Sequence, residues 1–90
     1  MQRQTENRII PGTDRLIGSK VKAARRAAGL TQGELADISG LSRRTISDME
    51  TGQRRVSAIE LMILCWFTRQ DIHIDFKEIM YLETTSTKED

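Results

Sequence analysis

Cysteine, proline, histidine and aromatic side chains are scarce in this 90-residue chain: there is one each of the first three and four aromatics. The single thiol, Cys65, has no internal disulfide partner and lies in an apolar run, so it reads as a buried, inert group suited to a reducing compartment. His73 and Cys65 fall in different elements. With no zinc-ligand spacing, phosphate-binding glycine loop or paired carboxylates beside them, the sequence implies no catalytic centre, metal or cofactor. His73 reads most simply as a cap or surface residue. No apolar run approaches the ~18 residues a membrane-crossing helix requires, and the N-terminus lacks a secretory signal, so the chain is expected to be soluble and cytoplasmic, without a membrane partner. An apolar content of 38% supports one small core and therefore one domain.

A net charge of +1 hides a strong division along the chain. Residues 14–57 hold nine Lys or Arg against five acids, a net of +4, whereas residues 58–90 hold three against seven, a net of −4. The first part attracts a polyanion and the second repels it, which would orient the molecule on phosphate before any base is read. Taken alone, such asymmetry is equally well a solvated surface.

Residues 31–55 give the charge a scaffold. Thr31-Gln32-Gly33-Glu34 is a capping box, in which the Thr hydroxyl and Glu carboxylate satisfy free backbone donors at a helix start. The helix it opens ends near Ser39, because Gly40 takes the left-handed backbone needed to reverse the chain. A further helix opens after Ser42 and ends near Thr51, before Gly52. Counting from Gln32, small Ala36, Gly40 and branched Ile46 occupy the fifth, ninth and fifteenth positions, the spacing of a helix-turn-helix. Upstream, Thr13 or Asp14 is the expected cap of a helix reaching about Ala28, with Leu16, Ile17, Val21 and Ala24 as its apolar stripe and Gly29 as its stop. Downstream, Ser57-Ala58-Ile59-Glu60 is a second capping box.

On these pieces, together with Leu41-Ser42-Arg43, Thr45-Ile46-Ser47 and Glu50-Thr51-Gly52, the sequence resembles the Cro and phage-repressor (Xre-like) DNA-binding domains from about Ile17 to Ile79. The resemblance implies an all-α fold, a compact four- to five-helix bundle of the lambda-repressor type. It implies that Arg25 pairs with Glu50, tying the first helix to the recognition helix. Two positions depart from the family: Val56 replaces a frequent proline and Asp48 a frequent basic residue. A carboxylate there would oppose phosphate, so Asp48 is not expected to face DNA.

The recognition helix presents Ser42, Arg43, Arg44, Thr45 and Ser47, with Ile46 and Met49 turned inward. One of Arg43 and Arg44 is expected to read a guanine edge and the other to hold a phosphate, with Thr45 adding a methyl or hydroxyl contact. Gln32, at a positive helix N-terminus, is expected to bond a phosphate and brace a recognition-helix side chain. Arg54 and Arg55 are expected to clamp the DNA backbone.

From Ala58 to Phe67 every residue but Glu60 is apolar, which is more than one packing face requires. Ala58, Leu61, Leu64 and Cys65 suit the domain's own core. Ile59, Met62, Ile63 and Trp66 form a second stripe, left for the C-terminal segment or, with Ile72, Ile74 and Phe76, for a second subunit. Residues 71–76 fit a strand by alternation and a helix by spacing; the resemblance favours a short helix at about 74–82.

The chain therefore divides into an arm at 1–12, a helix-turn-helix domain at 13–68, a packing or dimerisation segment at 69–83 and a polar, disordered tail at 84–90. The arm carries Arg3 and Arg8, and is more simply a frayed terminus than a groove-binding element. The function these features imply is a sequence-specific regulator, a dimeric repressor on palindromic DNA with half-sites ~34 Å apart. The alternatives are an antitoxin that binds a small protein and represses its own operon, or an adaptor that uses the fold without DNA.

Overall fold

Gly12, with φ of 90°, starts the first helix, and its carbonyl accepts from the Leu16 amide at 2.9 Å. The computed structural model describes residues 12–88, with side chains through residue 82, so the proposed arm lies outside the described residues apart from Gly12. Helix α1 spans Thr13–Ala27. The N-cap is Gly12 where Thr13 or Asp14 was expected: both of those residues stand inside the first turn. The left-handed turn at Gly12 makes that start, a conformation a β-branched Thr resists.

The next three starts follow the sequence signals. Helix α2, Gln32–Ser39, opens with the reciprocal Thr31–Glu34 bonds at 3.0 and 2.8 Å and ends at left-handed Gly40. Helix α3, Arg43–Glu50, is capped by Ser42, whose hydroxyl accepts from the Thr45 amide at 3.0 Å. Helix α4, Ala58–Thr68, opens with the Ser57–Glu60 box at 3.1 and 3.0 Å. Each such cap contributes about 1 kcal/mol, enough to set where a short helix begins.

The core is built by α1 through α4 and one residue beyond. Leu35, Ile46, Met49 and Leu64 are completely buried, with Val21, Ala24 and Ile72 beside them and Ile17, Leu30, Ala36, Leu41, Val56, Leu61, Cys65 and Phe67 around the edge. Burying each large member stabilises the fold by roughly 1.5–3 kcal/mol. Helix α1 crosses the end of α3 so closely that a Cβ at Gly18 would collide with the Met49 carbonyl oxygen and lie 3.0 Å from the Glu50 carbonyl carbon. Ala58, expected in this core, is exposed: as the first residue of α4 it precedes the turn that faces the bundle.

Residues 70–75 form neither strand nor helix, and the described residues contain no strand. After α4 stops at left-handed Arg69, the chain turns Ile72 into the core, leaving it 8% exposed. Ile72, counted with the second-subunit stripe in the sequence, is thus mainly a core residue of its own bundle, beneath the exposed Met62 and Trp66. Helix α5, Phe76–Lys88, starts later and runs further than the expected 74–82, taking in much of the stretch read as a tail. Its first turn is fixed by the Asp75 amide donating to Glu78 at 2.9 Å. Once such a nucleus exists, each further residue adds a backbone bond without needing a core. Glu78 also pairs with Lys20 of α1 at 3.1 Å, and Leu82 packs near Gly12.

Candidate nucleic-acid interface

Glu50, at the end of α3, is the anchor of the site. Its side chain is 1% exposed, and its oxygens accept from Arg25 Nε at 2.7 Å, Arg25 Nη2 at 3.0 Å and Gln32 Nε2 at 3.0 Å. Arg25 Nη1 donates to the Leu30 carbonyl at 2.8 Å. An unpaired carboxylate here would be costly, but the fork-shaped guanidinium and the carboxamide satisfy both oxygens. The bond to Glu50 raises the Arg25 pKa above its ordinary value, which keeps the guanidinium charged. Three elements are locked by this one group: α1, the start of α2 and the end of α3. Among the described residues, no buried side-chain nitrogen or oxygen lacks a partner.

That lock holds the N-terminal half of α3 outward. Arg43 is exposed and has no side-chain partner among the described residues, and the Arg44 side chain is 87% exposed. Ser42 and Thr45 are less free than their sequence positions imply. The Ser42 hydroxyl accepts from the Thr45 amide and donates to the Thr45 hydroxyl at 2.8 Å, so its one donor is spent on starting the helix. Ser47 is half-buried, and its carbonyl accepts from the Thr51 hydroxyl at 3.0 Å. Gln32 provides the expected brace toward α3, through Glu50.

The loop after α3 differs from the sequence expectation. Arg54 is engaged by Glu60 through two bonds, Nη1 to Oε1 at 3.0 Å and Nη2 to Oε2 at 2.8 Å, and Nη1 also donates to the Arg55 carbonyl. Arg54 thus ties the loop to the start of α4 while its side chain stays 41% exposed. The guanidinium holds the Glu60 carboxyl down at about 2, helped by the Ser57 amide. Arg55 is more available: its side chain is 64% exposed and its Nε is 3.8 Å from Asp14, a surface contact of little energetic weight. Asp48, not expected on this face, lies 3.5 Å from Arg44 Nε.

The sequence pattern described as Helix-turn-helix matches residues 21–65, from the middle of α1 into α4, and thus takes in every element of the lock. The chain belongs to the Cro/Xre-type helix-turn-helix family. Members of this family are DNA-binding regulatory domains, and in this one α2 and α3 are the motif itself. The domain is similar to Antitoxin PezA of Streptococcus pneumoniae serotype 4, with 34% identity over 65 residues that cover 72% of this chain. The chain spans 39% of that relative's length.

The helix-turn-helix domain also exposes Ile59, Met62 and Trp66 of α4, each more than 60% accessible, with Phe76 at 73% on α5. Ile63 and Ile74 are half-buried beside them. Arg69 lies over the Trp66 ring, 4.3 Å from its centroid. Among the described residues, no helix is long and apolar enough to cross a membrane.

Proposed function

We propose that this chain is a sequence-specific transcriptional regulator of the cytoplasm, not an enzyme, that places α3 in the major groove of a palindromic operator and represses by occupying it. The observation that carries this reading is the pair Arg43 and Arg44, held outward at the start of a helix whose other end is locked by Arg25, Gln32 and Glu50. An arginine so placed donates two parallel bonds to the O6 and N7 of guanine, a contact that discriminates by about 1–3 kcal/mol. Ser47 and Thr45 flank it, Gln32 and Arg55 supply backbone contacts, and Ser42 shapes the helix start.

One such domain covers too little DNA for strong specificity, so a twofold dimer is part of the proposal. Ile59, Met62, Ile63, Trp66, Ile74 and Phe76 supply its interface, on the strength of the exposed apolar surface that Ile59, Met62, Trp66 and Phe76 present. Selecting bound sequences from a random duplex pool tests both parts. A twofold-symmetric consensus with a guanine in each half supports them, and recovery of unenriched sequence refutes them. For the interface, Trp66→Glu is expected to give a monomer by sedimentation with weakened binding; an unchanged species contradicts it.

A second reading is favoured by the resemblance to an antitoxin: the same apolar face would hold a small protein partner while α3 binds the operon's own control sequence. Recovery of a stoichiometric small protein with the chain from its native cells, lost with Trp66→Glu, supports that reading. Isolation of the homodimer alone opposes it.

A further inference from the structure

Arg44 is more constrained than its exposure suggests. Its Nε is 3.5 Å from Oδ2 of Asp48, one helical turn further along α3, and the Asp48 side chain is 37% exposed. Asp48 also contributes weakly, after Glu60, to keeping Arg54 charged in the loop beyond the helix. The Asp48 carboxylate has no other hydrogen bond or ion pair among the described residues. What residue 48 does for the fold is done by its backbone: its carbonyl accepts from the Gln53 amide at 2.8 Å and the Thr51 hydroxyl at 3.3 Å. The charge is therefore separable from the structure.

We propose that Asp48 is a specificity-determining residue that holds Arg44 away from the phosphates of arbitrary DNA while leaving it able to read a guanine. The inference rests on the reading of α3 as the groove-inserted helix. A guanidinium has five N–H donors in a planar fork. With Asp48 on the Nε side, the opposite edge remains open to the O6 and N7 of guanine, and the carboxylate then fixes the plane of the fork. A phosphate, in contrast, competes with Asp48 for the same charge and is repelled by it. Asp48 thus weakens sequence-independent binding more than it weakens the guanine contact, widening the ratio on which a regulator depends.

The test uses the full chain with Asp48→Asn, titrated against a mixed-sequence duplex and against the duplex selected by the wild type. Asn is close in shape and the main-chain bonds are unaffected, so the variant is expected to unfold at the wild-type temperature. On mixed-sequence duplex it should bind about fivefold tighter, the worth of one close charge pair in water. Its log-affinity against log-salt slope should steepen by about one, as another phosphate contact forms. The selected duplex should gain less than the mixed one, and the gain should vanish in Arg44→Ala/Asp48→Asn. Unchanged binding to mixed-sequence duplex, equal tightening on both duplexes, or a gain that survives without Arg44 would each overturn the proposal. Loss of binding to the selected duplex alone would do so as well, since Asp48 would then itself be contacting a base. Wild-type protein that binds no mixed-sequence duplex and enriches none from a random pool removes the groove-insertion reading itself, which separates that failure from a failure of Asp48's role.

Discussion

Replacing Gly18 by alanine sets helix propensity against packing, and the structure decides the sign. In an exposed helix interior the change gains about 1 kcal/mol. At Gly18 the new methyl would occupy the space of the Met49 carbonyl oxygen and sit 3.0 Å from the Glu50 carbonyl, so α1 and α3 would have to separate. Neither obstacle is a flexible side chain that could swing aside. Overpacking of this kind costs about 1–3 kcal/mol, and the separation also strains the Arg25–Glu50 pair, whose complete rupture would cost about 3–5 kcal/mol. A net loss of about 2–4 kcal/mol follows, which for a domain of this size lowers Tm by roughly 10–25 °C. Thermal unfolding followed by circular dichroism reads it directly. Gly33→Ala is the control: a Cβ there would meet nothing nearer than the Thr31 hydroxyl at 3.9 Å, and the backbone is not left-handed. It should stabilise by about 0.4–1 kcal/mol. A Gly18→Ala protein as stable as the wild type would refute the close crossing of α1 and α3, and with it the path by which the lock positions the recognition helix.

Removing one partner of the buried pair, as in Glu50→Gln, should destabilise by about 3–5 kcal/mol in urea titrations, because the Arg25 charge is left 10% exposed and uncompensated. A loss below 1 kcal/mol would show that the network is ornamental. Glu60 should make stability depend on acid pH. Its folded carboxyl is held at about 2 against an ordinary 4.5, so its contribution is complete above about 4.5 and is lost as pH falls toward 2. Glu60→Gln should flatten that limb of the stability curve, and an unchanged limb would contradict the Arg54–Glu60 clamp.

Much of this was legible because short polar motifs encode helix ends locally. Thr31 and Glu34, Ser42, Ser57 and Glu60, and Gly40 all act on backbone groups within a few residues, so their effect follows from spacing alone. The Arg25–Glu50 pair spans the chain and was reached through the family resemblance. What escaped depended on contacts that spacing does not carry. Gly18 reads as a weak residue within a helix; its reason is a carbonyl on another helix. Ile72 sits in a segment with no regular period, so neither alternation nor helical spacing could tell core from surface. Glu60 was recognised as a cap, yet its two oxygens also accept from Arg54, a second use that a capping motif does not exclude.

The central claim, that Arg43 and Arg44 are the contact with DNA, is tested most directly by anisotropy titration of a duplex over a range of salt, comparing the wild type with Arg43→Ala/Arg44→Ala. The account predicts a wild-type affinity that falls steeply as salt rises, and a double variant that binds much more weakly, with any phosphate held by the pair removed from the slope at about 0.9 unit each. Superimposable curves for the two proteins would contradict it.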